Sequence, residues 1–378
     1  MTNNVSRRQF VELSGLVAAG LGLVGCGGGS GSSSSDSIKV GIMGPFSGDV
    51  AQYGIACRNG AQLFFKQLNE KGDATEAVSV YNKLVQDGVT AIVGDVTSTP
   101  TIAVAQASVT DNMPCVTASA TAADVITFGS NYFRACITDP FQGKVMADFA
   151  AKQGYKTVGT IYNSGGDYEV GVEKAFVEEA QSKGITITSE QGYPAGATDF
   201  NGQLTSLISG NPDAILAPNY YQDNGKIVTQ ARKLGYKGVF LGADGWAGII
   251  GGDQDYASAE DLEGCFYDTS FSASNTTSSV QDFVKAYTDE YGEAPTNFCA
   301  LGYDAAAIMA AGLEAAEKSG ESAGSDAYKQ AVIDGIAAAK VSGVTGDISY
   351  SGTGDPVKST LIITFKDGKE EIFDTIDA

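Results

Sequence analysis

The stretch Ile38-Lys39-Val40-Gly41-Ile42-Met43 is a short apolar run, and it passes through Gly44-Pro45-Phe46-Ser47-Gly48 toward a segment of helical period at 55–69. A strand that turns through glycines into a helix becomes diagnostic when it recurs, because parallel strands need a crossover helix between them. It does recur. Further strand candidates lie at 89–93, 114–117, 157–161, 214–217 and 239–241, with helix-period segments between them. Asp73 and Glu76 have capping-box spacing ahead of Ala77, Tyr81, Leu84 and Val85, and Val280, Phe283, Val284, Tyr287 and Tyr291 share one helical face. At the end of the chain, 360–365 and 370–375 flank Asp367-Gly368, which reads as a hairpin.

With 378 residues the chain is long enough for about two domains. No Pro-rich or charged linker separates the two sets of strands, so the reading is α/β, two doubly wound lobes joined by several crossings. One place breaks the alternation. Only Glu70, Lys71 and Gly72 separate the helix at 55–69 from the one beginning at Asp73, so the first lobe lacks one edge strand between Asn69 and Asp73.

Lys and Arg number 24 against 45 for Asp and Glu, a formal net charge of -21, which repels polyanions and excludes nucleic acid as a partner. The absence of histidine removes Ser-His-Asp and Cys-His nucleophile activation and imidazole metal sites. With no P-loop and no convincing nucleophile motif, the expectation is no enzyme, no cofactor and no metal.

Ser6-Arg7-Arg8-Gln9-Phe10 places a twin arginine before an apolar stretch at 13–24 that is too short to stay in a bilayer. It closes on Leu23-Val24-Gly25-Cys26, which resembles the lipobox of bacterial lipoproteins. The expectation is a twin-arginine export signal over 1–25, a lipidated Cys26 and a Gly/Ser tether over 26–37 that anchors an extracytoplasmic body to the cell membrane. The G-x-G-x-x-G match at Gly20 to Gly25 has no strand before it and carries no dinucleotide reading. Five further cysteines, at 57, 115, 136, 265 and 299, are an odd number for an exported chain. Free buried thiols fit them better than a disulfide framework.

Gly44 to Gly48, Ala51-Gln52-Tyr53-Gly54, Gly94, Ser98, Thr117 to Thr121, Asp139 to Gly143 and Tyr303 to Ala305, in that order, give the chain a resemblance to the leucine/isoleucine/valine-binding protein family. These are type I periplasmic solute-binding proteins of ABC importers. The resemblance implies two Rossmann-like lobes joined by a three-segment hinge, with 38–139 and 267–350 in the first lobe and 140–266 and 351–378 in the second. It implies a monomer that holds an amino acid, branched-chain or similarly apolar, between the lobes and delivers it to an importer permease. Residue by residue, Ser98, Ser119 and Thr121 match the carboxylate clamp, Tyr168 and Tyr220 the aromatics that close over the ligand, and Asp244 the acid that meets its ammonium. Tyr53 and Trp246 would wall the side-chain pocket. Helix capping is the rival role for the hydroxyl residues and a turn carboxylate the rival for Asp244. A small amide, urea or aromatic acid as ligand, or a ligand-sensing receptor component, are the alternatives.

Overall fold

The computed structural model describes residues 5–6, 37–38, 40–46, 48, 50–62, 74–251 and 254–376. Cys26 and its tether, nearly all of the export signal, the second half of the helix at 55–69 and the expected gap before Asp73 therefore lie outside the described residues. Only a short antiparallel pairing of Val5–Ser6 with Ser37–Ile38 is described there.

In chain order the first half comprises β1 (Val40–Ile42), α1 (Ala51–Gln62), α2 (Ala74–Gln86), β2 (Ala91–Val93), α3 (Ser98–Ser108), β3 (Cys115–Thr117), β4 (Tyr132–Arg134), α4 (Asp139–Gln153), β5 (Thr157–Asn163), α5 (Asp167–Ser182) and β6 (Thr186–Tyr193). It continues with α6 (Asn201–Ser209), β7 (Ala214–Leu216), α7 (Tyr221–Lys233), β8 (Val239–Gly242), α8 (Ala259–Leu262), β9 (Phe266–Thr269), α9 (Ser278–Tyr291), α10 (Asn297–Ser319) and α11 (Asp326–Ala337). It ends with β10 (Lys340–Gly343), β11 (Gly346–Ser349), β12 (Thr360–Lys366) and β13 (Lys369–Ile376).

Among the described residues the strands form two main sheets. The first is four-stranded, parallel and ordered β1-β2-β3-β4, with β1 at an edge. The second is seven-stranded and ordered β13-β12-β9-β8-β7-β5-β6. Its body is parallel, while β12 and β13 run antiparallel at one side. The final hairpin turns through Asp367 at φ 49° and Gly368 at φ 74°, the two left-handed residues that a tight hairpin turn requires.

Five strands, β4, β6, β9, β10 and β11, escape the apolar-run reading for physical reasons. β4 is only three residues long and ends in an arginine, and β6 is an edge strand whose Thr186 and Glu190 are exposed and whose Ser189 and Gln191 are half-buried. β9 carries the buried Asp268, and β10 is half-exposed and pairs with β11 in a separate hairpin. β9 belongs to the seven-stranded sheet, so the segment expected at 267–350 begins within a strand of that sheet.

The crossings are tied to one another. Arg134, fully buried, donates from its backbone N–H to Gly354 O at 3.0 Å, and its Nε lies 2.7 Å from Asp355. Lys358 Nζ donates to Ala135 O at 2.8 Å, and Thr360 Oγ1 to Thr269 O at 3.0 Å. All five described cysteines are free and buried. Helix α10 is long and apolar enough to cross a membrane, but 72% of its apolar window is buried inside the protein, as befits a core helix.

Candidate functional site

Strand ends place the first set of side chains. Ser98 opens α3 just after β2, while Thr97 takes the N-cap position without a side-chain capping bond. The Ser98 hydroxyl instead accepts from Ala122 N–H at 3.2 Å, tying the helix start to the loop after β3. In that loop Ser119 Oγ donates to Val96 O at 2.9 Å. Arg134 Nη1 donates to Ala120 O at 2.9 Å and Ala122 O at 3.0 Å, so one buried guanidinium holds the loop carbonyls on either side of Thr121. Hydroxyls and backbone N–H groups held at strand ends and a helix start suit an anion.

The second set comes from the seven-stranded sheet. Asp244 follows β8 and begins a single 3₁₀ turn, its N–H donating to Gln142 Oε1 at 2.9 Å. Burial pushes its carboxyl up to about 7, with Tyr168 and Gln142 acting in the opposite sense. Tyr168, on α5, stacks on Tyr220 with ring centroids 5.2 Å apart and accepts from Gly245 N–H at 2.9 Å. A carboxyl this hard to ionise alone is suited to a cationic partner, whose charge would offset the lost hydration.

Tyr53 links the two sets. Its hydroxyl donates to Gly245 O and accepts from Tyr221 N–H at 3.1 Å, and its ring lies edge-on to Tyr220 at 5.2 Å. Helix α1 carries it there by direct backbone packing on α10. A Cβ on Gly60 would meet Cys299 O at 1.9 Å, and one on Gly302 would meet Cys57 O at 2.2 Å, so both positions require glycine. The same packing brings Phe298 to 4.1 Å from Tyr53. Phe298 is a lining residue that the sequence reading missed. Its signal was an aromatic side chain one step inside the capped start of α10.

Tyr53, Ser98, Ser119, Thr121, Tyr168, Tyr220, Asp244 and Phe298 thus surround one small cavity. Only about 10 Å³ of it admits the centre of a water molecule, room for roughly one water. Past Thr97 and Tyr220 it adjoins an outer cleft of about 570 Å³ on that same measure. The outer rims also touch, through Thr99 Oγ1 donating to Asp167 Oδ2 at 2.7 Å.

Trp246 does not join them, contrary to its expected place in the pocket wall. Its Nε1 donates to Ala217 O at 2.7 Å, and its fully buried ring packs 6.5 Å from Tyr267 and 6.3 Å from Phe365. The one-turn helix rotates the indole back over β8, where a Cβ on Gly242 would meet Nε1 at 2.0 Å.

Comparison with known proteins adds four findings. Residues 37–369 match the family described as periplasmic binding protein. The Leu/Ile/Val-binding protein BraC3 of Rhizobium johnstonii is 29% identical over 336 residues, covering 84% of this chain and 88% of that protein. A leucine-, isoleucine-, valine-, threonine- and alanine-binding protein of Pseudomonas aeruginosa is 27% identical over 339 residues, covering 85% and 87%. Among solved structures, the LivJ substrate-binding protein of Streptococcus pneumoniae, in complex with isoleucine, superposes with a TM-score of 0.80. It is 29% identical and covers 90% of this chain and 99% of its own.

Proposed function

The chain belongs to the periplasmic binding protein family, and on that footing we propose that it captures an α-amino acid between its two lobes and delivers it to an ABC importer. The observation that supports this most directly is the opposition of Ser98, Ser119 and Thr121 to Asp244 across one cavity. Ser98 offers a hydroxyl donor to an α-carboxylate, Ser119 and Thr121 would join it by turning their hydroxyls from Val96 O and Asp139, Asp244 offers charge to an α-ammonium, and the tyrosines exclude water from both. Neither set alone meets both ends of a zwitterion. Relatives described as leucine-, isoleucine- and valine-binding make branched-chain amino acids the first ligands to try. Titration calorimetry with leucine, isoleucine, valine and their amine-free analogues tests the reading. Saturable binding of the amino acids supports it, equal binding of the analogues overturns it, and binding of neither excludes branched-chain amino acids as the ligands.

In this proposal the protein is a monomer and a binding protein rather than an enzyme. Its first lobe takes 38–139 and the stretch from Ser270 to 350, and its second lobe takes the rest of the body. A ligand touching both lobes has more contacts in the closed state, and that difference drives closure and gives a permease a surface that reports occupancy. Export by the twin-arginine signal and anchoring through a lipidated Cys26 complete it. Cys26→Ser should release the protein from the membrane fraction, and its persistence there would reject the anchor.

A further inference from the structure

With room for roughly one water, the inner cavity must open to admit any ligand, and Tyr53 and Phe298, 4.1 Å apart on its first-lobe side, and the Tyr168–Tyr220 stack on the other are the rings that would part around an α-carboxylate and α-ammonium. The larger space beside them is the outer cleft of about 570 Å³, reached past Thr97 and Tyr220, the residues common to both cavities, and a side chain whose α-carbon is held between Ser98 and Asp244 has that cleft to extend into. The chemistry of that cleft then decides which side chains are accepted.

Its polar groups are mostly satisfied within the protein. Lys226 Nζ lies 3.1 Å from Asp223, which also accepts from the Tyr193 hydroxyl at 3.1 Å, and Asp167 accepts from Thr99. Glu169 differs. It lines the cleft yet is 3% exposed, and the side-chain bond it accepts, from Asn163 Nδ2, is stretched to 3.5 Å. The place for its carboxylate is built into the backbone, since a Cβ on Gly166 would sit 1.9 Å from Oε2. Burial pushes this carboxyl up to about 7, with a bond from its own backbone N–H and the Asn163 bond acting in the opposite sense and the neighbouring Asp223 and Asp167 adding to the burial effect. Hydrocarbon laid against such a group would complete its desolvation without supplying a donor, whereas an N–H would fill the vacant acceptor capacity.

We infer that Glu169 is a specificity-determining residue that accepts from the end of the ligand's side chain, so that the cleft prefers amino acids whose side chains end in a nitrogen donor, an amide or an amine. The inference rests on the α-amino-acid reading above and names the ligand class within it.

The test is calorimetry on the full chain with leucine, glutamine and lysine, for wild type, Glu169→Gln and Glu169→Leu, with circular dichroism confirming that each variant is folded. In wild type, glutamine or lysine should bind at least about tenfold more tightly than leucine. Glu169→Gln should weaken lysine by about tenfold or more, and Glu169→Leu should weaken both donors, while leucine stays within about threefold in either variant. Leucine binding as tightly as both donors in wild type would overturn the inference and leave the α-amino-acid reading standing. Equal weakening of all three ligands would reduce Glu169 to a helix-terminal residue of α5. Binding of none of the three by folded wild type would refute the α-amino-acid reading and this inference with it.

Discussion

Replacing Asp244 by asparagine tests the recognition of the ligand ammonium most directly, because the residue keeps its shape and loses its charge. Asp244 is 4% exposed, and burial holds its carboxyl at about 7 rather than 3.8. That difference corresponds to about 4 kcal/mol favouring the neutral form in the closed cleft, an order-of-magnitude figure. Below about pH 7 the unliganded closed state would therefore carry a proton where an ammonium would bind. The raised value makes the stability of that closed state greatest at acid pH, and this contribution is lost as the pH rises from about 4 through 7. Ligand affinity runs the opposite way, because the ammonium must displace the proton. Leucine should bind progressively more weakly below pH 7, by up to about tenfold per unit, with a plateau above it. Asp244→Asn should weaken leucine by about 2 kcal/mol or more, roughly thirtyfold, and abolish the slope. Its amine-free analogue 4-methylpentanoate should be affected little. The assay is titration calorimetry from pH 5 to 8.5 on both proteins. Equal losses for leucine and the analogue, or an unchanged slope in the variant, would make Asp244 a turn residue and refute the reasoning.

Ser98→Ala removes a donor to the ligand carboxylate, worth about 1.5–3 kcal/mol, and also the acceptor of Ala122 N–H. Affinity should fall by roughly one to two decades with the circular dichroism spectrum retained; unchanged affinity would confine Ser98 to holding the loop. Tyr53→Phe removes both hydroxyl bonds to Gly245 and Tyr221 across the cleft, about 1–3 kcal/mol in total. The ligand-free variant should show a larger radius of gyration by small-angle scattering than wild type, and identical curves would show that these bonds do not hold the closed form. Trp246→Phe loses the bond to Ala217 O and core volume against Tyr267 and Phe365, so the melting temperature should drop while leucine affinity stays within about threefold. A large affinity loss in a variant of unchanged melting temperature would return Trp246 to the pocket.

Local pattern carried much of the fold. The runs at 89–93, 114–117, 157–161, 214–217 and 239–241 each contain or overlap an observed strand, because parallel strands buried on both faces must be apolar along their length. The Asp367-Gly368 hairpin was legible for an equally local reason, since few dipeptides accept two left-handed residues. Where burial and composition part company the reading failed. β6 is half-solvated, β9 buries Asp268, and the hairpin of β10 and β11 stands apart from both main sheets, so none has the apolar run that marks a central strand.

For the candidate site, it was the resemblance to the leucine/isoleucine/valine-binding protein family, carried over residue by residue, that singled out Ser98, Ser119, Thr121, Tyr168, Tyr220 and Asp244, and the structure brings all six to one cavity. Which of these face one another was decided only when the crossings, tied by Arg134, Lys358 and Thr360, set the two sheets side by side. The direction of a side chain within a turn is likewise tertiary information. Trp246 stands two residues from Asp244 and points into the opposite layer, since a 3₁₀ turn rotates successive side chains by about a third of a circle. Phe298 and Glu169 are ordinary helix residues in the sequence. Phe298 joins the site only because glycines let α1 and α10 touch, and Glu169 lines the outer cleft only because Gly166 leaves space for its carboxylate. The sequence by itself determined the buried central strands, the helices between them and the final hairpin, as these follow from local periodicity and turn chemistry. The tertiary structure decided which of those residues share a cavity, how little room it leaves and which charges it buries, because these depend on contacts between segments more than a hundred residues apart.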